Sequence, residues 1–273
     1  MNEKYELLKE DTVTTENGRV LYRIRALRDV RYGAKRGSLG GFIASDMNLS
    51  HEGNSWLFDN SRVFGNARVS DNSRVSGNSR VSGNSRVFGN AQVSGNSRVY
   101  DNAQVSGNAQ IYGDARVSDN ARVSDNARVS GNSRVFGNAQ VSGNSRVYDN
   151  AQVSGNSRVY DNARVSDNAR VYGDARVSVD AFLISAASLV SFSSVGSENG
   201  TLTIYKTSQG SARAVRGCFS GTLEEFTTAV LRKHGNSRFG REYQALIAVA
   251  CSRLDISPPA GITPLGGTQY AHE

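Results

Sequence analysis

The residues in this chain that could carry out a reaction are few. There are three histidines, His51, His234 and His272, and two cysteines, Cys218 and Cys251. A histidine can act as general base on an acceptor group, and a cysteine beside a histidine can form an activated nucleophile. His51 stands next to Glu52, where two extra residues interrupt a regular spacing, and reads as a turn residue at a junction in preference to a base. Cys218 and His234 lie 16 residues apart, one ending a strand and the other near a helix end; a small buried thiol is the plainer reading of the cysteine. The cysteines lie 33 residues apart, which fits neither a metal site nor a disulfide framework, and there is no phosphate loop. We assign no catalytic residue, no metal and no cofactor.

Arginine and aromatic residues, by contrast, are abundant and come at a fixed beat. Arg or Gln recurs every sixth residue, and Arg62, Arg68, Arg74, Arg98, Arg116 and Arg164 are the candidate anion-binding residues. Two residues after such positions stands Ser, or in nine cases Phe or Tyr. Phe64, Tyr100, Phe136 and Tyr172 among these are 36 residues apart and form the candidate surface or interface. Arg beside Tyr can stack on bases or grip phosphates. The plainer reading is that Arg, Phe and Tyr are ordinary outward residues of strands, with turn aspartates offsetting the charge. The formal net charge of +7 favours anionic partners in a general way.

These residues must be positioned by a repeat. From Leu57 to Val195 an aliphatic residue occupies every sixth position, 24 in all, and four residues after each comes a small one, usually Ser or Ala. Asn precedes the small residue, and Gly or Asp precedes Asn. A period of six suits neither a helix nor an alternating strand. It suits a coil of three short strands, with aliphatic and small residues inward and Gly-Asn or Asp-Asn in the turns, because these types tolerate left-handed backbone. Eight coils of 18 residues, about 4.8 Å apart, make a solenoid roughly 40 Å long.

The aliphatic, two-spacer, small-residue pattern resembles the hexapeptide-repeat family, which implies a left-handed parallel β-helix of about eight coils. The leader Leu21-Tyr22-Arg23-Ile24-Arg25-Ala26-Leu27, Leu39-Gly40-Gly41-Phe42 and Leu49-Ser50-His51-Glu52-Gly53-Asn54-Ser55-Trp56 is similar to that of bacterial and phage hexapeptide-repeat proteins, some labelled transferases on fold alone. The resemblance implies acyl transfer with a histidine base and a protruding loop. No histidine lies between residues 57 and 195, and no insertion interrupts the repeat there. It also implies a homo-oligomer, a trimer being the common form.

The expected organisation is a small N-terminal β cap or leader (1–56), the solenoid (57–196), a C-terminal hairpin plus two helices (197–256) and a flexible tail (257–273). Ile43 and Leu49 read as an imperfect first pair of repeats. A capping box, Thr222 to Glu225, starts the first helix. Residues 80–108 are identical to residues 128–156, an offset of 48 that is not a multiple of 18, so the copy is rotated by one face. This suggests that repetition matters more than any single side chain. The polar start and the lack of a long apolar run are read as a cytoplasmic protein with no membrane contact. The sequence therefore points to a non-catalytic scaffold or binding protein presenting a repetitive Arg/aromatic surface, and the resemblance of the leader implies a phage or prophage origin. A nucleotide or nucleic-acid binder and an acyltransferase with its chemistry in the flanks are the alternatives.

Overall fold

The computed structural model describes residues 3–31 and 33–265. The repeat folds as a three-faced β-solenoid. Each repeat contributes a two-residue strand, Arg-Val or Gln-Val in most cases, paired in parallel with the strand 18 residues away. We name the faces A (Arg62–Val63 and its mates), B (Arg68–Val69) and C (Trp56–Leu57, then Arg74–Val75). Between strands the chain turns at the Gly or Asp position, which takes positive φ, +66° at Gly77 and +57° at Asp101. The inward valines and the small residues four positions on are wholly buried. Buried serines keep their hydroxyls satisfied; Ser73 Oγ donates to the Ser70 carbonyl at 2.7 Å and to the Val87 carbonyl at 3.2 Å.

The turn asparagines have a second task. On face A, Asn66 Nδ2 donates to Asn84 Oδ1 at 3.0 Å, and the ladder continues through Asn102, Asn120, Asn138 and Asn156 to Asp174. Turn aspartates also reach the next coil: Asp59 Oδ2 accepts from Gly77 N at 2.9 Å and Asp119 Oδ2 from Gly137 N at 2.9 Å.

The coils begin earlier and stop earlier than the aliphatic spacing suggests. Phe42–Ile43 pairs in parallel with Arg62–Val63, and Leu49 bridges Val69, so the expected imperfect pair does start the solenoid. The last coil strand is Phe182–Leu183. Leu189 and Val195 keep the six-residue spacing but lie in an antiparallel strand. After Leu183 the chain passes through a 3-10 turn, Ala186–Ser188, and the strand that follows pairs antiparallel with Gly200–Lys206 instead of stacking on the coils.

Both ends are covered. Strands β1 (Tyr5–Thr14) and β2 (Val20–Ala26) pair antiparallel, and β2 pairs with β3 (Leu39–Ile43), which continues face A. At the other end β4 (Leu189–Val195), β5 (Gly200–Lys206), β6 (Ala212–Arg216) and β7 (Phe219–Thr222) form an antiparallel sheet, so the expected hairpin is the centre of a four-stranded unit. Strand β5 meets the last coils: Thr203 Oγ1 accepts from Arg176 N at 3.2 Å, and the buried Tyr205 hydroxyl donates to the Ser178 carbonyl at 3.1 Å. An open solenoid end would leave strand groups unpaired, and β5 supplies partners. Helices α1 (Leu223–His234) and α2 (Arg238–Leu254) pack on this sheet. The capping box is present, with Thr222 Oγ1 accepting from Glu225 N at 3.1 Å and Glu225 Oε2 from Thr222 N at 2.8 Å. Within the expected tail, Ile262 packs into this second core, while residues 266–273 lie outside the described ones.

The N-terminal cap holds a buried cation. Lys4 is 0% exposed, and its ammonium donates to the Ser55 carbonyl at 2.8 Å and to Ser55 Oγ at 3.1 Å. Burial first, and the Arg28 charge second, pull its pKa down to about 7. The unfolded lysine titrates near ~10.4. Below about pH 7 both states hold the proton and this group adds no pH dependence. Above it the unfolded state holds more protons, so stability rises with pH until the unfolded lysine also titrates. Urea unfolding between pH 7 and 9 is expected to show this rise, at most about 1.4 kcal/mol per pH unit from one group. Lys4→Met should flatten it; equal slopes in both proteins would refute the assignment.

Candidate functional site

On each face the Arg-Val-aromatic or Arg-Val-Ser triplet sends Val inward and its two neighbours outward. Stacking at 18-residue intervals turns these neighbours into parallel columns. On face A the first column reads Arg62, Arg80, Arg98, Arg116, Arg134, Gln152 and Arg170, and the second reads Phe64, Ser82, Tyr100, Ser118, Phe136, Ser154 and Tyr172. Five consecutive arginines therefore stand about 4.8 Å apart. Face B breaks its run at Gln104 and Gln140, and face C at Gln92 and Gln110.

The aromatics divide face A into clefts. Phe64 and Tyr100 wall one of about 260 Å³, over Ser82 and beside Arg80, Arg98 and Arg116. Tyr100 and Phe136 wall a second of about 300 Å³, over Ser118 and beside Arg116 and Arg134. Ser118 is only 7% exposed. Asp101 and Asp119 stand at the turn edge of these clefts. Among the described residues, Arg62, Arg98, Arg116 and Arg134 have no carboxylate within ion-pair distance. Arg80 has one: Glu16, on the turn between β1 and β2, at 2.9 Å. The hydrogen bond and charge of Arg80, with smaller contributions from Arg98 and Arg62, hold the Glu16 carboxyl below its usual range. The first stretch of the arginine column thus already holds an anion supplied by the chain itself.

The structure sorts the candidate residues. Phe64, Tyr100, Phe136 and Tyr172 do share face A, but only the first three wall the clefts; Tyr172 is 58% exposed, beyond the Gln152 interruption. Of the six candidate arginines, Arg62, Arg98 and Arg116 stand with these aromatics. Arg68 lies on face B, in a cleft of about 580 Å³ with Arg86, Phe88 and Met47, and Arg74 and Arg164 lie on face C. Arg80 and Arg134 complete the face A column and were missed; reading arginines at intervals of 18 rather than six would have found them. The identical segments are rotated as expected, since Arg80 sits on face A and Arg128 on face C.

The other candidates are placed elsewhere. His51 stacks on Tyr5 with ring centroids 4.3 Å apart, and its Nδ1 accepts from Lys4 N at 3.2 Å, so it is built into the N-terminal cap. Cys218 and His234 line one cavity of the C-terminal unit but share no hydrogen bond. Among the described residues no cluster of three or more His, Cys, Asp or Glu could hold a metal ion. No helix among them is long and apolar enough to cross a membrane.

Fold and surface together define a β-solenoid repeat protein. Seven segments match a family model, the YdcK Beta solenoid repeat, at residues 61–77, 91–107, 109–124, 121–137, 139–155, 151–167 and 157–172. All seven lie within the coils, and they share the turn and column chemistry described above. No curated protein is similar enough to the chain to match it.

Proposed function

We propose that this chain is a non-catalytic binding scaffold whose face A docks an extended polyanion, single-stranded nucleic acid being the class that suits it. The uninterrupted column from Arg62 to Arg134 carries this reading, because four of its five guanidinium groups have no carboxylate partner among the described residues. Like charges on neighbouring strands repel, and a phosphate chain laid along the column offsets that repulsion. Clefts walled by Phe64, Tyr100 and Phe136 offer ring faces on which bases stack without sequence preference. In this reading the array is of the hexapeptide-repeat type without acyl-transfer machinery, and a phage or prophage origin rests on the leader alone.

Fluorescence anisotropy of a labelled oligothymidine, titrated across salt concentrations, tests the proposal. Phosphate contacts at the four arginines without a carboxylate partner predict a log–log salt slope of about −2.8 for a single strand. Absence of binding at low salt, or a slope near zero, would refute it. A second reading uses the same half-buried aromatics to pack face A against further copies of the chain, with a trimer as the form to look for. Native mass spectrometry separates the two, since only docking of a polyanion gives a species with added mass that high salt removes.

A further inference from the structure

The C-terminal unit holds a cavity of about 310 Å³ that the solenoid surface does not use. Its lining includes the apolar Phe219, Phe226, Val230 and the ring of Tyr243. Arg216 and Lys233 also line it, with Cys218 and His234, and Glu198 is the lone carboxylate of the lining. Arg216 ends β6 with its side chain nine-tenths buried. One of its terminal nitrogens, Nη2, donates to the Val195 carbonyl at 2.7 Å and the other lies 3.7 Å from Glu198, but its buried Nε has no partner. Lys233 forms no ion pair, and neither the Tyr243 hydroxyl nor the His234 ring has a hydrogen-bond partner among the described residues. A buried donor without an acceptor is costly, and two cations face one carboxylate.

We propose that this cavity is a binding site for a small monoanion with an apolar body, such as an aryl or short-chain carboxylate. The carboxylate meets Arg216 and Lys233, and the body lies against Phe219 and Phe226. The volume is at the lower end for a small-molecule pocket, which restricts the ligand to a compact one. The site is independent of face A, since its residues lie on β6, β7, α1, α2 and the turns beside them.

Cys218 makes the test local. It is exposed in the cavity lining, whereas Cys251 is buried, so intact-mass measurement of iodoacetamide addition reports this site alone. Benzoate, 3-phenylpropanoate and octanoate at millimolar concentration are the probes, each compared with its neutral amide. At least one carboxylate is expected to slow alkylation of Cys218 several-fold while its amide does not. Lys233→Met, an exposed change that leaves the helix intact, and Arg216→Met should each weaken protection roughly tenfold or more. If no carboxylate protects Cys218, or if the amides protect equally, the proposal is overturned. Loss of protection in Arg216→Met alone, with a lowered melting temperature and Lys233→Met unchanged, would also overturn it, since Arg216 would then be only a brace for Val195.

Discussion

Replacing Val123 with Asp is expected to open the solenoid at its middle coil. Val123 is 0% exposed and stacks between Val105 and Val141 on face B. The change forfeits about 1.5–3 kcal/mol of apolar burial. It also places a carboxyl where no donor waits, which costs several kcal/mol more whether the group stays charged or takes up a proton. The total falls in the range that marks a disrupted core. Because each coil touches only its neighbours, the damage should stay local and uncouple the two halves. Circular dichroism should show a lowered and broadened melt, and trypsin should cut first at Arg122 or Arg128, the exposed arginines beside the site. Val123→Ile is the control: Ile111 already fills an equivalent position at 0% exposure, so this change should leave the melt within a few degrees. A Val123→Asp protein that melts with the parent would show that the interior is not closed at this level.

The second large effect concerns face A. The triple change Arg98→Ala, Arg116→Ala, Arg134→Ala removes three charges from the uninterrupted column and from both clefts. A matched triple, Arg86→Ala, Arg122→Ala, Arg158→Ala, removes the same charge from face B, whose column is already broken by Gln104 and Gln140. If face A is the docking surface, the first variant should lose oligothymidine affinity by about 100-fold near physiological salt and its salt slope should shrink by about 2. The second variant should change affinity only a few-fold, through the weaker long-range field. Equal losses would mean that net charge, and not the ordered column, binds the polymer. All these arginines are outward and none pairs with a carboxylate among the described residues, so stability should change little in either variant.

The two halves of the cap reading show where sequence reasoning holds. The capping box at Thr222 and Glu225 follows from local spacing, and the structure has it. The pairing of Tyr205 with Ser178 and of Glu16 with Arg80 spans 27 and 64 residues and leaves no local trace. The meeting of Arg216, Cys218, Lys233 and His234 around one cavity likewise depends on how α1 packs on the sheet. Leu189 and Val195 show the converse failure: the spacing persists into a strand that pairs antiparallel with Gly200–Lys206 and not with the coils.

By itself the sequence determined the period and the inward and outward residues, because a six-residue repeat with Gly-Asn or Asp-Asn turns leaves the backbone one economical way to bury its valines. It also determined which columns exist, since residues 18 apart must stack once the coil has three sides. Tertiary structure decided where the coils start and stop, through the strands that satisfy their open edges. It decided that Glu16 reaches back to one end of the face A arginine column. Those outcomes rest on contacts between distant segments, whose energies depend on burial and charge in three dimensions and not on neighbouring residue types.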